Sequence, residues 1–173
     1  MNYIFSAIFL YFFLGFLLYI FQRRIVFNKS GHPGAPKDYN LDNTEEVYIK
    51  TEDNLKLLSW YHKGNNSLPL LVYFHGNSFH IGDRAYRIQK YIEKNWSVLL
   101  VSWRGFGGNK GNPTEKNLYK DAEAVLKWIK NNTEFKFKEL VIYGESLGSG
   151  AAVEIGTKYE FLSIVLELSL IHI

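Results

Sequence analysis

The chain has 173 residues, 47% of them apolar and 17% aromatic, with a net charge of +3. That suits one domain with a sizeable core, and so mild a charge excludes the basic stripe expected of a nucleic-acid binder. The absence of cysteine excludes disulfides, thiolate metal sites and a cysteine nucleophile.

Residues 1–21, MNYIFSAIFLYFFLGFLLYIF, carry no charged side chain. As a helix such a run spans roughly 30 Å, the hydrocarbon thickness of a bilayer. Tyr3 and Tyr19 suit the two interfaces. No basic residue precedes the apolar stretch and FQRRIVF follows it, where a cleaved signal peptide would carry small residues. An uncleaved, single-pass membrane anchor is therefore expected. Gln22, Arg23, Arg24 and Lys29 come next and the first acid is Asp38, which by the positive-inside tendency puts the following domain on the cytoplasmic side. Residues 22–44 read as a linker, with the proline- and glycine-rich NKSGHPGAPKDYNLDN extended as it leaves the membrane and His32 solvated within it.

Residues 45–173 read as an α/β domain. Val47–Lys50 and Leu55–Tyr61 flank the turn TEDN, an antiparallel hairpin with His62 at its surface end. LPLLVYF, SVLLVSW, ELVIY and LSIVLEL are continuously apolar, as strands covered on both faces are in a parallel sheet. Helical spacing lies between them: Ile81, Ala85, Ile88 and Ile92 share one face, and Leu118, Ala122, Val125 and Ile129 another, the latter helix N-capped by Thr114. Alternating strands and helices imply right-handed crossovers and a mostly parallel sheet behind the N-terminal hairpin.

Gly144-Glu145-Ser146-Leu147-Gly148 is a G-x-S-x-G sequence between an apolar strand and a helix rich in small residues. A serine on a sharp strand-to-helix turn needs glycine two positions either side, and the helix N-terminus leaves the Leu147 N–H free for a developing oxyanion. Ser146 is thus the candidate nucleophile; Glu145 is expected to shape the turn. After the strand ending at Phe74, His75-Gly76-Asn77 forms the loop type that donates a second oxyanion N–H, assigned to Asn77. His75 is expected to be structural and His80 to be a loop or helix-start residue. The loop WRGFGGNKGN has four glycines but neither nucleotide fingerprint, so Arg104 is read as a tether. Phe79, Trp103 and Phe106 line an acyl site or simply pack. No metal or organic cofactor is expected, because no histidine–carboxylate cluster has ligand spacing.

The ordered set of anchor, FQRRIVF, hairpin, YFHGNSFHIGDR, WRGFGGNKGNPTE and YGESLGSGAA resembles the membrane-anchored α/β hydrolases of the serine aminopeptidase-like, bud-emergence-related branch, over about residues 20–168. The resemblance implies an α/β-hydrolase fold with an eight-stranded sheet. It also implies hydrolysis of an ester, thioester or amide through an acyl-enzyme, with an acyl-type small molecule, lipid or peptide as substrate. Ser146 is then the nucleophile, with the Asn77 and Leu147 N–H groups as the oxyanion hole.

That fold orders its triad as Ser, then Asp or Glu, then His. After Ser146 come Glu154, Glu160, Glu167 and His172, none at a family position for acid or base. The family continues past VLE into a loop, a helix and further strands, so the expectation is a C-terminally truncated hydrolase lacking the last strands, with an exposed apolar edge at Ser163–Leu168. Two alternatives stand beside it. One is a split enzyme completed by a C-terminal polypeptide that docks on that edge; the other is a non-catalytic, membrane-anchored binding module.

Overall fold

A computed structural model describes residues 2–29 and 31–169. Helix α1 (Asn2–Val26) takes up the apolar N-terminal run, and its Tyr3–Gln22 stretch is long and apolar enough to cross a membrane, with none of it buried against the protein. A two-residue strand, β1 (Asn28–Lys29), follows. The hairpin is β2 (Thr44–Lys50) and β3 (Lys56–His62). Then come β4 (Leu70–Phe74), β5 (Ser78–Phe79), helix α2 (Ala85–Ile92), β6 (Ser97–Val101), α3 (Glu115–Asn132), β7 (Leu140–Glu145), α4 (Leu147–Gly156) and β8 (Ser163–Glu167).

The main sheet has the order β2-β3-β6-β4-β7-β8 among the described residues. The pairs β2–β3 and β3–β6 are antiparallel, and β6–β4, β4–β7 and β7–β8 are parallel. This is the α/β-hydrolase arrangement of a hairpin joined to a mostly parallel sheet.

Both faces of the sheet's centre are covered, which is why β4, β6 and β7 read as unbroken apolar runs. Along β4, Leu70, Val72 and Phe74 face a core built with α3 and α4. Leu71 and Tyr73 face a second core with Ile81, Ala85 and Ile88 of the α2 region. All four α3 positions picked by spacing are buried, and the Thr114 hydroxyl accepts from the Asn117 N–H at 3.2 Å, as an N-cap does. The α2 region opens with a 3-10 turn, Ile81–Arg84, entered from His80.

Residues 31–43 are docked rather than extended. Ahead of them strand β1 pairs with β5; Pro33 and Pro36 are buried, and Leu41 belongs to the second core. The Tyr39 ring packs on Trp60 at 5.4 Å while its hydroxyl donates to the Pro33 carbonyl at 2.6 Å. Apolar side chains decide this outcome: Tyr39 and Leu41 close the α2-side core that the sheet alone leaves open.

The position of His62 is also corrected. It is buried beside Thr44 Oγ1, at 3.2 Å from Nδ1. Strand β3 has neighbours on both sides, so its last residue is covered by β2 and by Val98 of β6. Burial lowers its pKa. At the other end of the described sheet, β8 has a neighbour only in β7, and Ile164 and Val165 are each 38% exposed.

Candidate active site

Ser146 stands between β7 and α4 with φ 49° and ψ −109°, a conformation that costs a non-glycine residue on the order of 1–3 kcal/mol. Packing imposes it. A Cβ on Gly148 would collide with the Phe74 carbonyl oxygen, and one on Gly144 would lie 2.7 Å from Ser149 Cα and 2.9 Å from Ala152 Cβ. With glycine on both sides, α4 reaches the ends of β4 and β7 and the serine is left at the crest of the turn. The Ser146 N–H donates to the Glu167 carbonyl at the end of β8 (2.8 Å), and its carbonyl accepts from the Ser149 N–H (2.9 Å) and Oγ (2.6 Å). Leu147 opens α4, a position whose N–H has no partner within its own helix and lies at the positive end of the helix dipole.

The loop after β4 runs along this turn. A Cβ on Gly76 would lie 3.3 Å from Ser146 Cβ and 3.1 Å from Glu145 Oε1. Asn77 comes next, half-buried, just before β5. Ser146, Leu147 and Asn77 therefore sit on adjoining turns at the carboxyl ends of two neighbouring parallel strands, β7 and β4, which is where ligands bind in open α/β sheets.

Each described histidine is engaged elsewhere. His75 is fully buried, Nδ1 donates to the Gly76 carbonyl at 2.6 Å, and the ring packs edge-on to Phe106 at 5.5 Å. Burial first, and the Arg84 charge second, push its pKa down to about 4, so the ring is neutral and structural. His80 Nδ1 lies 2.9 Å from Asp83 Oδ2, His32 Nδ1 accepts from the Gly34 N–H at 3.1 Å, and His62 is at the hairpin. His172 lies outside the described residues. Of the later acids, Glu154 pairs with Lys158 and Glu160 with Lys138, while Glu167 Oε2 accepts from Arg87 NH1 (2.6 Å) and the Tyr143 hydroxyl (2.8 Å). Among the described residues no cluster of three or more metal-ligating side chains forms.

Glu145 shapes the turn as a buried anchor. Its carboxylate accepts two hydrogen bonds from Arg84, at 3.1 and 2.9 Å, and one from the Tyr73 hydroxyl at 2.9 Å. Burial opposes ionisation, but the Arg84 guanidinium wins and holds the group below the usual carboxylate range. Arg104 is a tether, as expected, bonded to Asp121 (2.6 Å) and to Asp53 in the hairpin turn (2.7 Å). Trp103 and Phe106 are fully buried, and Trp103 stacks on Phe74 at 5.1 Å while its Nε1–H donates to the His75 carbonyl at 2.9 Å. They support the loop from below; only Phe79 of the three aromatics is exposed. Sequence reasoning missed Arg84. The available signal was a cation at the N-terminal end of a helix, where the dipole disfavours it, so a carboxylate partner was to be expected.

The family model for serine aminopeptidase S33 matches residues 66–166, which takes in the β4 loop, the elbow and β8. The chain belongs to that family of α/β hydrolases. It is similar to protein bem46 of Schizosaccharomyces pombe, 29% identical over 84% of this chain and 51% of that protein. The uncharacterised membrane protein YNL320W of Saccharomyces cerevisiae is likewise 29% identical, over 90% of this chain and 57% of its own length. Both are relatives of the bud-emergence-related kind that the sequence resembles, and the name of the Saccharomyces cerevisiae relative accords with membrane association through α1. Among solved structures the Pyrococcus furiosus esterase Pf2001 superposes with a TM-score of 0.69 at 24% identity, covering 83% of this chain and 57% of that one, a likeness that speaks for the fold. The chain spans about half the length of the curated relatives it matches.

Proposed function

We propose that this chain carries the nucleophile part of a membrane-associated serine hydrolase acting on an ester, thioester or amide. Ser146 Oγ attacks the carbonyl carbon and gives its proton to a base. The Leu147 and Asn77 N–H groups bind the oxyanion. The leaving group departs with that proton, and water then releases the acyl group from the serine. The observation that supports this most is the strained Ser146 backbone, φ 49° and ψ −109°, held between two glycines that nothing larger can replace. Strain kept at a half-buried polar side chain on such a turn points to function.

No described histidine hydrogen-bonds Ser146 Oγ, so on this reading the acid and base come from residues other than those described, in this chain or in a separate polypeptide. Without its base a triad serine loses on the order of 10⁶ in kcat. The same observation favours a second reading, a membrane-anchored binding module in which the elbow no longer turns over. In either case α1 spans the bilayer once and Arg23, Arg24 and Lys29 hold the domain on the cytoplasmic side, which protease protection in sealed vesicles tests.

A fluorophosphonate probe applied to the full chain in detergent decides between the readings. A Ser146 adduct, absent in Ser146→Ala, is expected for the hydrolase. An adduct formed only when the C-terminal half of bem46 is added assigns the base to a second polypeptide. Folded chain that stays unlabelled in both conditions overturns the catalytic reading and leaves the binding module.

A further inference from the structure

Arg84 and Arg87 lie one turn apart at the start of α2, and each meets a glutamate at the end of a strand. Arg84 grips Glu145 at the end of β7, with the Tyr73 hydroxyl on the same carboxylate. Arg87 grips Glu167 at the end of β8, with the Tyr143 hydroxyl on that one. The two glutamates are register partners, and the two tyrosines are stacked at 4.7 Å on neighbouring strands. The sets differ: Arg84 makes two bonds to its glutamate where Arg87 makes one, and Arg87 Nε donates instead to the Tyr86 hydroxyl at 3.0 Å. Arg84 NH1 also donates to the Ser78 carbonyl, at 2.8 Å.

That extra bond joins the two halves of the candidate site. Glu145 is the residue before Ser146, and Ser78 is the residue after Asn77. We propose that Arg84 is a positioning residue that fixes the Asn77 loop against Ser146 and so sets the width of the oxyanion hole; this rests on reading Ser146 as the nucleophile. A guanidinium is a rigid planar fork, so three of its N–H directions committed to two loops fix those loops relative to each other. Arg84 and Glu145 are both buried, where charged hydrogen bonds are stiffer than in water. A shift of the loop away from the elbow breaks the bond to Ser78, and a shift towards it drives Gly76 into Glu145 Oε1, already within 3.1 Å of where a Cβ would be. Lysine, a point charge on a flexible stem, meets one of the two loops but does not brace both.

The test uses full-length chain in detergent with three variants. Arg84→Lys keeps the charge. Arg84→Met/Glu145→Gln removes both buried charges together and leaves no orphaned carboxylate. Arg87→Met removes the sister guanidinium, which bonds to neither Ser78 nor Glu145. Amide hydrogen exchange over residues 75–79 is expected to rise at least tenfold in both Arg84 variants and to match wild type in Arg87→Met, with the β2–β3 hairpin unchanged throughout. Fluorophosphonate labelling of Ser146 is expected to slow at least tenfold in Arg84→Lys at an unchanged melting temperature. Wild-type exchange at 75–79 in the Arg84 variants, an equal rise in Arg87→Met, or wild-type labelling of Arg84→Lys each overturns the proposal. If wild-type chain takes no label either alone or with the C-terminal half of bem46 added, the nucleophile reading fails, and the exchange comparison still decides whether Arg84 braces the loop.

Discussion

Helices α1 and α4 both lack a clean polar face, yet one is the least buried part of the protein and the other among the most closely seated. In α1, Phe9, Tyr11, Phe12, Phe16 and Leu18 all project away from the rest of the chain. In α4, Gly148, Ser149, Ala151, Ala152 and Ile155 are buried. Side-chain size and length separate them. Small residues let the α4 backbone come down onto β4 and β7, whereas the rings of α1 keep any partner at a distance and suit a surrounding apolar phase. Ten residues span about 15 Å, half a bilayer; twenty-five span more than its roughly 30 Å core. Apolarity without a polar face therefore predicts burial, and the size of the side chains decides whether protein or lipid does the burying.

The largest test of the contrast is Gly148→Ala. The new methyl would meet the Phe74 carbonyl, which the β4 ladder holds in place, so stability falls by about 3 kcal/mol or more, read by urea denaturation in detergent. Wild-type stability would mean that close seating is not what fixes α4. A comparable loss is expected on acidification, through His75, the residue after Phe74 and directly under the same seat. Unfolded, the imidazole titrates near 6.5; folded, near 4. Between those values the unfolded chain binds more protons, so the stability His75 contributes is intact above about pH 6.5 and declines as pH falls towards 4. At about 1.4 kcal/mol per pH unit this amounts to roughly 3 kcal/mol. His75→Phe should flatten melting temperature against pH in that window, and an unchanged slope would place the acid sensitivity elsewhere. For the lipid half of the contrast, Leu14→Arg puts a charge at mid-span at a cost of about 2.5–3.5 kcal/mol. The chain should then leave membranes on alkaline carbonate extraction while the domain melts as before. Retention in the pellet would show that something other than α1 holds it there.

How far all this was legible in the sequence depends on whether the cause was local. The strands β4, β6 and β7 were readable because burial on both faces leaves an unbroken apolar run, and β8 reads the same way although it is largely exposed among the described residues. The elbow was readable because the constraint on Gly144 comes from Ser149 and Ala152 a few positions away, although that on Gly148 comes from Phe74 on another strand. The docking of residues 31–43 was not readable. Tyr39 and Leu41 are single apolar residues in an aperiodic stretch, and their partners Trp60 and Ile81 belong to other elements. His62 seemed to end a surface hairpin because the strand that covers it, β6, starts 35 positions later. Arg84 gave only a local hint, a cation at the start of a helix, and its carboxylate partner is 61 residues away. Period and spacing report what a residue's own element needs, and they are silent on what another element brings to it.

The smallest effect gives the sharpest reading of α4. Gly150 is two residues from Gly148, about 200° around the helix, and a Cβ there meets nothing within 4 Å. Gly150→Ala should therefore stabilise the domain by about 0.5–1 kcal/mol, because alanine loses less backbone freedom than glycine in a helix interior. Two glycines a half-turn apart would then respond with opposite signs, one set by contact with the sheet and the other by backbone entropy alone. Gly15 in α1 also has open space around it, and Gly15→Ala should leave the melting of the domain where it was, since α1 contributes nothing to that core. If Gly150→Ala destabilises instead, the outer face of α4 is covered in solution by a surface other than the described residues, and the closeness of α4 is a property of two interfaces rather than one.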